Sequence, residues 1–95
     1  MIKIVAKMPV KAGEVDNFVA AAQEIVEKSR KDAGNHVYTL NVKQDDPQCI
    51  TFIEFWEDQA AIDAHNATEH FQRIFPQLCA LCDGDPIVEL YDELI

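Results

Sequence analysis

Between Glu14 and Lys31 the apolar residues recur at a helical period, and the stretches on both sides of it alternate at a period of two. Val15, Phe18, Val19, Ala22, Ile25 and Val26 fall at i, i+3, i+4, i+7, i+10 and i+11, one stripe along a helix. Glu14 and Asp16 occupy the first turn and Lys28, Arg30 and Lys31 the last, so both ends complement the helix dipole. Glu24 with Lys28 and Glu27 with Lys31 stand in the favourable i,i+4 orientation, and Gly34 is a natural stop. The chain therefore opens as strand, helix, strand.

The remaining elements follow from the same two periods. Residues 2–10 read as a strand, with Ile2, Ile4, Ala6 and Met8 alternating with Lys3, Val5 and Lys7, closed by Pro9 and Gly13. Residues 35–43 alternate His36, Tyr38, Leu40 and Val42 with Val37, Thr39 and Asn41. Gln44 to Gln48 is turn chemistry, and residues 49–57 form a third strand, so a hairpin is predicted. Asp58 caps a short helix from Gln59 to about Asn66, and Thr68 caps a second piece. In that piece Phe71, Ile74, Phe75, Leu78, Leu81 and Cys82 make a stripe ending at Gly84, with a kink or break expected at Pro76. Residues 87–91 are a last strand. The order β-α-β-β-α-β predicts an α+β, ferredoxin-like fold, and 95 residues predict a single domain spanning 1–95.

Charge narrows the partners. Eight Lys and Arg stand against 17 Asp and Glu, a net of -9, with no basic cluster. Nucleic acid and anionic membrane surfaces are therefore not expected as partners, and a neutral or apolar small molecule is. No apolar run is long enough to span a bilayer. Lys3 and Lys7 interrupt any signal-peptide core, and an odd cysteine count (Cys49, Cys79, Cys82) argues against a disulfide framework. The expected location is cytoplasmic, with reduced thiols. Large apolar residues lie on both faces of the third and fourth strands, which two helices cannot both cover, so a homodimer is expected.

Glu54-Phe55-Trp56-Glu57-Asp58, Ala61, Ala64-His65 and Thr68-Glu69-His70-Phe71 resemble the antibiotic biosynthesis monooxygenase family, which includes quinol monooxygenase-like proteins. Val10 to Gly13 is similar to the family's first turn, and Ser29-Arg30, Gly34 and Tyr38 to its helix-to-strand junction. The resemblance covers roughly residues 2–92. It implies a dimeric α+β barrel with a pocket between sheet and helices in each subunit. It also implies cofactor-independent oxygenation of a phenolic or quinol-like aromatic. The haem-degrading relatives' Asn, Trp and later His are not matched, since Ala6, Lys7, Met8, His65 and Phe75 stand in the corresponding stretches.

Cofactor-free oxygenation needs a base, a dry pocket and dioxygen. His65 and His70 flank the break between the two helical pieces, and one of them is expected to be the base. The other reading is that one of them braces the junction. Glu54 shares a strand face with Trp56 and is expected to orient a histidine or a substrate hydroxyl, or to accept the Trp56 N–H in the core. Trp56, Tyr38, Phe71 and Phe75 are the expected substrate walls, each also readable as core. His36, at a strand start, reads as solvated. Cys79 and Cys82 lie near a helix C-terminus, without further ligands at zinc spacing, and read as helix-face residues. No cofactor is expected, and no metal triad or phosphate loop is visible. Two alternatives to oxygenation remain open. One is isomerisation of a small sugar-like or carbonyl compound, which would place cations such as Lys7 or Arg30 in the pocket. The other is a non-catalytic ligand-binding dimer, whose pocket would hold no inward histidine.

Overall fold

In the computed structural model, which describes residues 1–95, the chain forms β1 (Ile2–Pro9), α1 (Val15–Ser29), β2 (Asn35–Lys43), β3 (Asp46–Trp56), α2 (Gln59–Asn66), α3 (Glu69–Cys79) and β4 (Ile87–Asp92). The sheet order is β2-β3-β1-β4, and every neighbouring pair is antiparallel. This is the ferredoxin-like α+β arrangement. No helix is long and apolar enough to cross a membrane.

Strand alternation builds the core. Ile4, Ala6 and Met8 of β1, Tyr38 of β2, and Ile50, Phe52 and Trp56 of β3 are buried in one cluster with side chains from all three helices. α1 supplies Phe18, Ala22, Ile25 and Val26, α2 supplies Ile62, and α3 supplies Ile74 and Leu78. Full burial of one such side chain stabilises by about 1.5–3 kcal/mol. The opposite sheet face carries half-buried Val5, Val37, Ile53 and Phe55, with the Lys3 ammonium 4.6 Å above the Phe55 ring. Lys3 pairs with Glu93 and Lys7 with Glu89 across it. β4 hydrogen-bonds β1 alone, and its Ile87, Val88, Leu90 and Tyr91 are exposed.

The elements depart from the sequence pattern in four places. The hairpin turn is only Gln44-Asp45, so Asp46-Pro47-Gln48 belongs to β3. There the register shifts between Val42 and Lys43, the irregular kind of site where a strand tolerates proline. A second register shift falls between Asn35 and Val37, so His36 lies outside the regular alternation. His36 is exposed, as expected of a strand start, and pairs with Glu57 rather than sharing the buried face of Tyr38. α3 continues through Pro76 without a break, but it stops at Cys79. Leu81 and Cys82 donate to the carbonyls of Leu78 and Cys79, so the chain leaves α3 in tight turns and the stripe ends outside the helix. α1 ends at Ser29, two residues earlier than its charge pattern predicts, because Lys31 and Asp32 already belong to the next turn.

Candidate active site

The site starts with a tight connection. Beyond α1, Lys31 N donates to Lys28 O, Asp32 N to Ser29 O, and Asn35 N to Asp32 O. Gly34 has φ +82°, a conformation that side-chain-bearing residues rarely adopt. A Cβ there would lie 2.6 Å from the Ala61 Cβ, so only glycine lets the turn press against α2. Ala61 and His65 are i and i+4 on one face of that helix. The approach at Gly34 therefore delivers Asp32 to His65.

The break between α2 and α3 delivers the second histidine. The Thr68 hydroxyl donates to His65 O at 2.7 Å and accepts from Phe71 N at 3.2 Å. This cap turns the chain so that His70, in the first turn of α3, reaches the same carboxylate. His65 Nδ1 and His70 Nε2 each lie 2.9 Å from Asp32 Oδ2. A carboxylate can only accept, so both imidazoles place a proton on the bonded nitrogen. That leaves His65 Nε2 with its lone pair, buried and without a hydrogen-bond partner. Burial holds the His65 pKa below its ordinary value, against the opposing pull of Asp32. His65 is thus neutral near pH 7 and in the form of a base.

Aromatic rings enclose this imidazole. Trp56 lies 4.6 Å away between ring centroids, Phe71 5.1 Å and Tyr38 5.5 Å. Phe75 stacks on Phe71 at 4.9 Å. Trp56 Nε1 donates to Glu54 Oε1 at 2.9 Å, so Glu54 is spent on the indole and does not bond a histidine. Burial pushes the Glu54 carboxyl up to about 7, against the Trp56 hydrogen bond. Burial and the nearby Glu54 push the Tyr38 phenol above its usual range, so it stays a neutral hydroxyl.

All seven residues singled out in the sequence therefore meet in one cluster, Phe75 through its stack on Phe71. The cluster also contains a residue that the sequence analysis missed, Asp32. It lies 33 positions from His65 and 38 from His70, and no local motif marks it. Asp32, His65 and His70 together place a carboxylate oxygen and two imidazole nitrogens within 4.8 Å of one another. The fold thus assembles a histidine–carboxylate set, chemically suited to a divalent transition metal, which linear spacing concealed. Both imidazole nitrogens already bond the carboxylate.

Two cavities lie away from this cluster. A cavity of about 520 Å³ lies between α1 and β2, and a second of about 320 Å³ lies around Lys7, Gln48 and Asp83. Tyr38, Trp56, Phe71 and Phe75 line neither, and neither do the histidines. Tyr38 and Trp56 are 3% and 0% exposed because their rings fill the space beside His65 themselves. Arg30 lines the larger cavity and Lys7 the smaller. Cys79 ends α3, and Cys82, past it, donates to Leu78 O. Burial pushes both thiols up, away from nucleophile chemistry.

Known proteins share this fold. The family model described as Antibiotic biosynthesis monooxygenase matches residues 1–77. A Bacillus subtilis (strain 168) protein named "Putative monooxygenase YcnE" is 38% identical over 72 residues, 76% of each chain. A crystal structure titled as an antibiotic biosynthesis monooxygenase superposes with a TM-score of 0.93 at 39% identity, covering 100% of both chains. A conserved protein from Methanosarcina mazei Go1 superposes with a TM-score of 0.95 at 29% identity, covering 98% of this chain and 92% of that one.

Proposed function

The chain belongs to the antibiotic biosynthesis monooxygenase family, and from that premise we propose that it is a cofactor-independent monooxygenase acting on a phenolic or quinol-like aromatic molecule. The observation that carries this reading is the Asp32–His65 pair, which leaves a buried, unprotonated Nε2 among aromatic rings. In the proposed step His65 Nε2 removes a phenolic proton. The phenolate passes one electron to dioxygen, the radical pair recombines as a C–O bond, and the hydroperoxide loses water. Quinol plus dioxygen then gives hydroxyquinone plus water, with the substrate supplying all the electrons. Asp32 holds the His65 tautomer and stabilises the imidazolium, and His70 fixes Asp32 from the other side. Glu54 acts only through Trp56. His70, Phe71 and Phe75 are the half-buried members of the cluster, so a substrate enters from their side by displacing Phe71.

In this reading a second copy of the chain covers the outer sheet face. Half-buried Val5, Ile53 and Phe55 and the bare strand β4 support that arrangement. Sedimentation at micromolar concentration checks it, with a dimer expected and a monomer overturning it.

A different reading takes its support from the larger cavity. No histidine lines that cavity, as a ligand-binding dimer without chemistry requires; Arg30 lines it, but isomerisation by the same histidine base would need that base there as well. Oxygen consumption by metal-free protein with a panel of hydroquinones and polycyclic phenols separates the readings. Uptake above autoxidation is expected, falling by about 10²–10⁴-fold in His65→Ala, the span of general base catalysis. Uptake no higher than autoxidation, or unchanged in His65→Ala, overturns the oxygenase proposal.

A further inference from the structure

We infer that the cavity between α1 and β2 is a binding site for a small monocarboxylate with an apolar body, its charged head held by Arg30. The inference stands apart from the oxygenase reading, because no residue of the histidine cluster lines this cavity. Its volume of about 520 Å³ lies within the span of small-molecule sites. Val15, Val19 and Val26 of α1 face Leu40 and Ile50 of the sheet across it. Val19 and Val42, both lining it, are 43% and 58% exposed, so apolar surface is left open to water at its mouth.

Charge selects the ligand. The chain carries 17 acidic residues against 8 basic ones, yet no carboxylate lines the cavity and Arg30 is its single charged group. Arg30 Nε donates to Tyr38 O at 2.9 Å, which fixes the plane of the guanidinium. Its two terminal nitrogens bond no other residue, the pair that grips a carboxylate in a two-pronged fashion. The amide nitrogens of Gln23 and Asn41 are already committed to Glu27, Thr39 and Thr51. Arg30 is therefore the free donor of the lining. One cation matches one negative charge. A dianion would leave a charge unpaired in a protein of net charge -9, and a neutral ligand would leave the two terminal guanidinium nitrogens to water instead of pairing them.

Calorimetric titration with 2-naphthoate and with its neutral counterpart 2-naphthamide tests this. The acid is expected to bind at one site per chain and the amide at least about tenfold more weakly, the scale of a charge-assisted hydrogen-bonded pair. Arg30→Gln should abolish that preference. Val42→Glu places a carboxylate in the lining at an exposed edge position. It should weaken the acid and leave the amide unchanged, and it carries the test if Arg30→Gln does not fold. His65→Ala should bind 2-naphthoate as the unmodified chain does. Equal affinity for acid and amide, no binding of the acid at millimolar concentration, an unchanged acid affinity in Val42→Glu, or loss of binding in His65→Ala would each overturn the inference.

Discussion

The histidine cluster and the α1–β2 cavity divide the requirements of a working site between them. The cluster holds a base, a carboxylate that orients it and aromatic walls, but neither cavity opens onto it. The cavity has space and a cation, but no base. The difference reflects the size of the core. Only 18 of 95 residues are buried, so a polar side chain seated among them must be satisfied by its neighbours. His65 is met by Asp32, and Glu54 by Trp56. Arg30, at the surface, keeps most of its donors for something else.

The comparison is broken most directly at Trp56. Trp56→Ala empties a fully buried site and strands the Glu54 carboxyl, and it is expected to cost about 3–5 kcal/mol in urea unfolding. Val19→Ala, at the rim of the cavity, should stay within about 0.5 kcal/mol. Similar costs at both positions would mean that the cluster is no more a packed core than the cavity is.

Protonation sharpens the contrast. The Glu54 carboxyl rises from an ordinary 4.5 to about 7 on folding. Between those values the folded chain binds more protons than the unfolded one, so stability falls as pH rises through that window and levels off above it, with an amplitude on the order of 3 kcal/mol. His65 acts with the opposite sign. Its pKa is lowered from 6.5, so its contribution is lost as pH falls below that value. Below about pH 6.5 the two oppose each other, so unfolding midpoints from about pH 5 to about pH 8 should show their net, and Glu54→Gln should steepen the rise with pH below 6.5 and remove the fall up to about 7. A falling limb that persists in Glu54→Gln would assign it to another group.

A smaller contrast lies in the turn. Gly34→Ala forces a positive φ and a contact with Ala61, and should cost about 2 kcal/mol or more by thermal unfolding. Gly13→Ala has φ +83° and nothing within 4 Å, so only the conformational part remains, about 1 kcal/mol. Equal losses would mean that the turn does not press on α2.

Much of this was legible in the chain itself. The apolar period placed α1, the caps at Asp58 and Thr68 placed α2 and α3, and alternation put Phe52, Glu54 and Trp56 on one face. What escaped depends on distant partners. The extra residue at His36 is a matter of register between strands, which a single strand cannot reveal. Asp32 looks like an ordinary residue of a polar connection until the fold sets it between two histidines. The early end of α3 depends on the turns after Cys79, and Val10 pairing with Cys82 is a contact across the molecule. The aromatic residues were found, but whether rings enclose a space or fill it is decided by three-dimensional packing.

Trp56 is the single tryptophan of the chain, and its ring rests against His65. In optical terms the protein therefore carries its own label. Indole emission comes from one place, and a protonated imidazole quenches an indole beside it while a neutral one does so far less. The ultraviolet fluorescence of the unmodified chain thus follows the charges beside the indole, those of the proposed base and of Glu54. It also registers whatever enters to displace Phe71, without a dye or an engineered probe.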